Sequence, residues 1–359
     1  MRTVLTLLCL AGAGTHSDVK SDETVVFFPT IGWLDESGGT WHVRVHGWVF
    51  EPEVDSIRRA VLLRVLVESL DLDEDSARAE VFRERARDFL VDNEGGKSLF
   101  IRLGGRVYLA GVSAKDGHFA ATLRIPVRHL TPPQTAGDRD RWLTYSAVLP
   151  AGDSRRFEGR VCLLAPAGLS VITDVDDTVK VTNVGDRREL LANTFVRPFR
   201  PVEGMREMFG RWSGQATFHY VSASPWQLYR SLSDFAEAQG FPPGTWHLRP
   251  FRAKDRSFRN LFADPFEHKL EVIGAMLRQL PRRRFILIGD SGEKDPEAYG
   301  ELARRHPRQI HQIVIRDVGG PASNAERFRA AFADVPADRW HILKRPAELD
   351  SPPAAGLYR

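Results

Sequence analysis

Two kinds of hydrophobic pattern divide the chain near residue 168. Before it, short segments alternate between apolar and polar positions. The clearest is WHVRVHGWVF (41–50), in which Trp41, Val43 and Val45 share one face. Such alternation is typical of strands with one buried face. The same reasoning predicts further strands at SLFIRL, RVYLAGVS, HFAATLRI, WLTYSAVL and RVCLLA.

Helical spacing interrupts these strands between Ser56 and about Asn93. Apolar residues recur there three or four positions apart, and the acidic run DLDED (71–75) separates two predicted helices. We therefore expect residues 18–165 to form a β-rich domain with a helical insert. No arrangement of catalytic side chains is evident in this part of the chain.

From Gly168 onward, continuous apolar runs replace the alternation. The runs SVITDV, FHYVS, RFILIGD and HQIVIRDV are separated by helix-like stretches. This pattern predicts an α/β fold with a parallel sheet and helices on both faces, over residues 166–349, followed by a tail at 350–359. In such sheets, ligands bind at the carboxyl ends of the strands.

Composition places the chain among globular proteins. Its 359 residues are 42% apolar and 27% charged, which is enough for two domains with hydrophobic cores. The formal net charge of +3 is too weak to indicate a nucleic-acid partner. We expect none.

The N-terminus, MRTVLTLLCLAGAGTHSDVK, has the pattern of a signal peptide, with Arg2 before a short apolar stretch. We expect residues 1–17 to be a leader and the protein to be secreted or periplasmic. A cytoplasmic protein with an apolar N-terminus is the alternative. If the leader is removed, Cys162 is the only cysteine of the mature chain, which excludes an internal disulfide. No other run is long enough to predict a transmembrane helix.

Acidic residues follow two of the predicted parallel strands. Asp174 and Asp176 come after SVIT, and Asp290 comes after RFILIG. Carboxylates gathered at one sheet edge repel one another, and a hard divalent cation such as Mg²⁺ relieves the repulsion. A solvated acidic turn is the alternative for DVDD taken alone. A calcium loop is excluded, because the required glycine and glutamate positions hold Val179 and Gly185.

The set of motifs resembles a known superfamily. Asp174 to Thr178 (DVDDT), Ser222, Lys269 and GDSGEKD (289–295) are similar to the four motifs of the haloacid dehalogenase (HAD) superfamily of phosphotransferases. HYVSASPWQLY and FILIGDSGEKDPEAY further resemble the actin-patch-type phosphatidate phosphatase catalytic domain, which is related to lipins. The resemblance covers about residues 168–316. The N-terminal part is similar, less specifically, to the β-rich domain of bacterial members.

This resemblance implies roles for individual residues. Asp174 would be the nucleophile, and Asp176 the general acid/base, a role that needs a raised pKa. Mg²⁺ would bind the Asp174 carboxylate, the Asp176 backbone carbonyl and Asp290. Ser222 and Lys269 would hold the phosphoryl oxygens.

Several of these residues also have simpler explanations. Ser222 and Ser224 could cap the following helix, and a lysine at position 269 could face solvent. Asp295 could cap a helix or support the metal site from behind, and Thr178 could hold the turn by a hydrogen bond. Asp177 has no expected role.

The predicted function is hydrolysis of phosphatidate to diacylglycerol and phosphate at a membrane surface. Only about 43 residues separate Thr178 from Ser222, which leaves room for a small cap and suits a lipid headgroup. A basic run could contact an anionic surface or be an ordinary loop; it comprises Arg249, Arg252, Lys254, Arg256 and Arg259. The alternatives are another phosphomonoester as substrate, or a phosphatidate-binding module without turnover.

Overall fold

The computed structural model describes residues 16–52, 64, 67–68, 80–130, 140–250, 265–319 and 321–349. Most of the predicted leader, the acidic run at 71–75, four members of the basic run and the tail lie outside these residues. Within the described residues, no helix is both long enough and apolar enough to span a bilayer.

The chain separates into two compact units. The first comprises Met1–Ala60 and Leu90–Pro166, and the second comprises Val61–Phe89 and Ala167–Arg359. Of the predicted helical segment, one helix is described, and it falls within the second unit. This helix, α1 (Glu80–Arg87), buries Phe82, Arg85 and Ala86.

The first unit is built on a nine-stranded sheet. Its strands are β1 Thr24–Phe27, β2 Thr30–Leu34, β3 Thr40–Glu51, β4 Asp92–Asn93, β5 Ser98–Leu103, β6 Arg106–Val112, β7 His118–Pro126, β8 Arg141–Ala147 and β9 Glu158–Leu163. The order is β1-β3-β2-β9-β8-β5-β6, with β4 and β7 also paired to β3. The predicted alternation in β3 is confirmed, because Trp41, Val43 and Val45 are buried.

The second unit contains a six-stranded, fully parallel sheet. Its strands are β10 Leu169–Thr173, β11 Ala216–Pro225, β12 Gly244–Arg249, β13 Arg284–Asp290, β14 Ile310–Arg316 and β15 Trp340–Leu343. The order is β12-β11-β10-β13-β14-β15, so β10 lies in the centre. The predicted α/β class is confirmed. Thr173 pairs with Tyr220 and Ile288, which aligns the carboxyl ends of the three central strands.

Helices flank this sheet. They are α2 Arg187–Leu191, α3 Met205–Trp212, α4 Tyr229–Ala238, α5 Phe266–Gln279, α6 Asp295–Arg305 and α7 Pro321–Ala331, and one π-helical turn, Ala192–Val196, continues α2. Strands β12 and β15 were not predicted. Both are edge strands, and their sequences GTWHLR and WHIL lack the continuous apolar run that marks the four strands between them.

We predict opposite effects for two glycine-to-alanine substitutions in helices. A Cβ on Gly300 in α6 would overlap the backbone carbonyl oxygen of Ala331 in α7, whereas a Cβ on Gly210 in α3 meets nothing within 4 Å. Gly300→Ala should destabilise the protein by ~1–3 kcal/mol, as overpacking does. Gly210→Ala should stabilise it by up to about 1 kcal/mol through helix propensity.

Denaturant midpoints of both variants against the wild type check this prediction. Equal shifts in the same direction would contradict the close approach of α6 and α7.

Candidate active site

Asp174 lies immediately after the central strand, with its carboxylate buried. The side chain is 1% exposed, and its backbone N–H donates to the Ile288 carbonyl at 2.8 Å. Neither carboxylate oxygen accepts a hydrogen bond of acceptable geometry from the described residues. A buried charged group without hydrogen bonds is costly, so these oxygens are suited to a cation or to chemistry.

The ammonium of Lys269 is the buried cation nearest to Asp174. Its Nζ lies 2.8 Å from Asp174 Oδ1 and 3.2 Å from Glu293 Oε2, and it also contacts Asp295 Oδ1. The side chain is fully buried, so the solvent-facing alternative is wrong. Lys269, Ile273, Met276 and Leu277 share the buried face of α5 at helical spacing. That periodicity was a readable signal in the sequence.

Three carboxyl groups, on Asp174, Glu293 and Asp295, have oxygens within 4.8 Å of one another. The spacing suits a metal ion, but the Lys269 ammonium contacts all three groups. The ammonium donates hydrogen bonds to Glu293 and Asp295 and forms an ion pair with Asp174. We therefore assign this cluster to Lys269.

Asp290 ends β13 at the same edge of the sheet. Its Oδ1 accepts a hydrogen bond from Gly292 N–H at 2.6 Å, and Thr178 Oγ1 lies 3.4 Å from its Oδ2. The side chain is fully buried. The structure thus brings Asp174 and Asp290 to adjacent strand ends, as the sequence predicted.

Asp176 has hydrogen-bond partners on both oxygens. Oδ1 accepts from Lys180 at 2.7 Å and from Thr182 at 2.8 Å. Oδ2 accepts from the hydroxyls of Ser222 and Ser224, each at 3.1 Å. Burial acts to raise the pKa of Asp176, but Lys180 and the hydroxyl donors outweigh it and lower the pKa overall. The shift is opposite in direction to the raised pKa that the general acid/base role of Asp176 needs.

Ser222 contributes to local structure and to the site at once. Its Oγ accepts from the Ser224 backbone N–H at 2.9 Å and donates to Asp176. Neither serine caps the helix that follows, because the N-cap positions there are Pro225 and Leu228 and neither has a side-chain cap hydrogen bond, so the capping alternative is wrong.

Asp177, for which the sequence suggested no role, anchors the loop that follows the motif. Its Oδ1 accepts from the N–H groups of Thr182 and Asn183 at 2.8 and 2.9 Å, and Oδ2 accepts from Val184 at 2.7 Å. The residue adopts φ +55°, a conformation that aspartate tolerates better than most residues. The Asp177 carboxylate therefore serves as an acceptor for backbone N–H groups.

Asp295 supports the site from behind. It begins α6, while Lys294 holds the N-cap position, so Asp295 is not the cap. Its Oδ2 accepts from the Asp290 backbone N–H at 3.2 Å. A Cβ on Gly289 would overlap this carboxylate, which explains the glycine before Asp290.

The site carries more negative than positive charge. Burial, followed by the charges of neighbouring carboxylates, raises the pKa values of Asp174 and Asp290 well above their usual range, although Lys269 opposes the shift. Burial also raises the pKa of Glu293 to about 7. Sequence reasoning missed Glu293, since an acidic residue in a glycine-containing loop gives no signal of its own.

Most of the basic run at 249–259 lies outside the described residues. Only Arg249, which is half-buried, belongs to the described residues.

We predict that Glu293 makes metal-free stability dependent on pH. Its pKa is raised from 4.5 to about 7 in the fold, so the folded state binds more protons and stability falls as pH rises between these values. Glu293→Gln should flatten this dependence. At pH 8 it should raise the melting temperature by roughly 2–4 °C, the shift that ~1 kcal/mol produces in a domain this size.

Melting curves in chelator from pH 4.5 to 8 measure the effect, and Glu326→Gln, at an exposed glutamate, is the matched control. An unchanged pH slope in Glu293→Gln would contradict the burial of this carboxyl in the cluster.

Comparison with known proteins gives a consistent result for the second unit. Residues 169–317 match the family described as "Phosphatidate phosphatase APP1, catalytic domain". The chain is 35% identical to phosphatidate phosphatase APP1 of Saccharomyces cerevisiae over 158 residues, which are 43% of this chain and 26% of the relative. It is 34% identical to an uncharacterized protein of Schizosaccharomyces pombe over 169 residues, 46% of this chain and 27% of the relative.

The chain thus spans about a quarter of the length of these curated relatives. Among solved structures, a 2,6-sialyltransferase of Photobacterium sp. JT-ISH-224 matches at 11% identity, covering 55% of this chain and 32% of that chain, with a TM-score of 0.21. That score is too low to support any argument.

The matched segment contains the four residues named in the site, Asp174, Ser222, Lys269 and Asp290. Residues 169–317 of this chain are therefore similar to the phosphatidate phosphatase APP1 catalytic domain.

Proposed function

We propose that the chain is a Mg²⁺-dependent phosphatase of the HAD type that hydrolyses phosphatidate to diacylglycerol and phosphate. The observation that carries the proposal is the Asp174 carboxylate. It is buried at the end of the central strand, beside the Lys269 ammonium, and accepts no hydrogen bond from the described residues. A carboxylate in that state is available as a nucleophile.

The residues present fit a hard divalent cation. The unsatisfied Asp174 oxygens, Asp290 and the Asp176 backbone carbonyl would hold it, and all are oxygen donors. The raised pKa values of Asp174 and Asp290 reflect an excess of buried negative charge that such a cation would offset. When bound, Mg²⁺ supplies charge stabilisation for the phosphoryl group.

The chain's own residues would act in two displacements. A carboxylate oxygen of Asp174 attacks phosphorus, and the bond from phosphorus to the ester oxygen breaks. Asp176, whose pKa is lowered in the free protein, must first be protonated, and it then gives that proton to the leaving alkoxide. Water then attacks phosphorus of the aspartyl-phosphate and gives a proton to Asp176. Phosphate leaves, and the Asp174 carboxylate is restored.

Lys269 and Ser222 would stabilise the phosphoryl oxygens as charge moves in the transition state. Of the three carboxylates around Lys269, Glu293 is the most exposed, with 20% of its side chain accessible. A phosphoryl oxygen can therefore replace Glu293 at the ammonium, while Asp295 keeps Lys269 in position.

A phospholipid headgroup at a membrane surface is the proposed substrate. The family match supports phosphatidate, and the segment between Thr178 and Ser222 is short, which favours a substrate whose bulk stays outside the site. A secreted or periplasmic location remains a proposal that rests on the N-terminal sequence alone.

We predict that phosphate release from phosphatidate in mixed micelles requires Mg²⁺ and is abolished by a chelator. Asp174→Asn should lower kcat at least ~10³-fold, because it removes the nucleophile. Asp290→Asn should raise the Mg²⁺ concentration needed for half-maximal activity. Asp338→Asn, at an exposed aspartate, is the control and should keep full activity.

The same assay separates the alternatives. Faster hydrolysis of soluble phosphomonoesters than of phosphatidate would show that the substrate is a soluble phosphomonoester and not a lipid. Binding to phosphatidate vesicles without phosphate release would indicate a binding module. Full Mg²⁺-dependent activity in Asp174→Asn would refute the assignment of the nucleophile.

A further inference from the structure

Lys180 is a buried lysine that no motif accounts for. Its side chain is 1% exposed, and its Nζ lies 2.7 Å from Asp176 Oδ1 and 2.6 Å from Thr182 Oγ1. Burying an ammonium requires compensation by charge and hydrogen bonds. Here the compensating charge is the carboxylate that we propose to be the acid/base.

The contact distinguishes the two oxygens of Asp176. Oδ1 is held by Lys180 and Thr182, while Oδ2 is held by the hydroxyls of Ser222 and Ser224. An ammonium can only donate, whereas a hydroxyl can either donate or accept. Only Oδ2 has neighbours that remain compatible when the oxygen carries a proton.

Lys180 is itself fixed from behind. Its Nζ lies 5.0 Å from the centroid of the Phe199 ring, and the guanidinium carbon of Arg85 lies 3.5 Å from the same centroid. Arg85, on α1, also donates to the carbonyls of Thr194 and Arg197 at 2.7 and 2.8 Å. The Phe199 ring that packs against Lys180 is thus contacted by a residue of α1, a helix about 90 residues before the DVDDT motif in the sequence.

We propose that Lys180 is a positioning residue for the phosphatase reaction. It fixes Oδ1 of Asp176, so that Oδ2 is the oxygen that exchanges a proton with the leaving group and with water. Lys180 does not touch the substrate in this proposal, because its contacts are made within the protein. The inference rests on the proposed function of Asp176.

Substrates with different leaving groups separate positioning from a purely structural role. The diacylglycerol alkoxide needs a proton as it leaves, whereas para-nitrophenolate leaves without one. A misplaced Asp176 therefore slows phosphatidate hydrolysis more than para-nitrophenyl phosphate hydrolysis. A general loss of structure slows both alike.

The test compares Lys180→Met, Lys180→Arg and the control Lys344→Met, at an exposed lysine of the same unit. For phosphatidate, Lys180→Met should lower kcat about 10²-fold, within the range for general acid/base catalysis, with little change in KM. The loss for para-nitrophenyl phosphate should be about tenfold smaller. Lys180→Arg should recover part of kcat. Equal losses on both substrates, an effect on KM alone or an unchanged kcat would overturn the proposal.

A second measurement is independent of turnover. Melting temperatures of Lys180→Met, Asp176→Asn and the double variant form a cycle. Lys180→Met leaves a buried carboxylate unpaired, so Asp176→Asn in the same chain should recover most of the loss. Additive losses would contradict the pairing. If the wild type hydrolyses neither ester, the proposed function fails, while the cycle still decides whether Lys180 holds Asp176.

Discussion

The architecture of the second unit depends on burying several carboxylates around one ammonium at the carboxyl edge of a parallel sheet. Lys269 contacts Asp174, Glu293 and Asp295, and the same group of residues ties β10, β13, α5 and α6 together. Like charges at this density are unfavourable unless cations or hydrogen bonds compensate them. Gly289 is part of this arrangement, because a Cβ at this position would overlap the Asp295 carboxylate that contacts Lys269.

The acidic motif itself divides its charges among different tasks. The Asp174 carboxylate is ion-paired with Lys269 but accepts no hydrogen bond from the described residues. The Asp176 carboxylate accepts hydrogen bonds on both oxygens, and the Asp177 carboxylate accepts them from three backbone N–H groups. Three chemically identical side chains within four positions thus have three environments. Environment, rather than residue type, decides which of them can react.

The sequence predicted the parallel sheet, because continuous apolar strands are a local signal, and the acidic residues that it placed at two strand ends do lie at the carboxyl edge. It also placed Lys269 and Asp290 at the site. It failed for β12 and β15, whose edge positions weaken the apolar pattern, and for the pKa of Asp176. That shift depends on Lys180 and on hydroxyls from β11, contacts that no spacing in the sequence reveals. Glu293 was missed for the same reason.

The location of α1 in the sequence determines which fragment of the chain contains the whole second unit. Residues 169–317 match the family, but the second compact unit also includes Val61–Phe89. In the sequence, Leu90–Pro166 of the β-rich unit separates this segment from the rest of the second unit. The boundary defined by homology is therefore narrower than the boundary defined by packing. A fragment that begins at residue 167 would lack Arg85 and its hold on Phe199. The second unit is discontinuous in sequence, and the sequence of the β-rich unit lies on both sides of the segment that supplies α1.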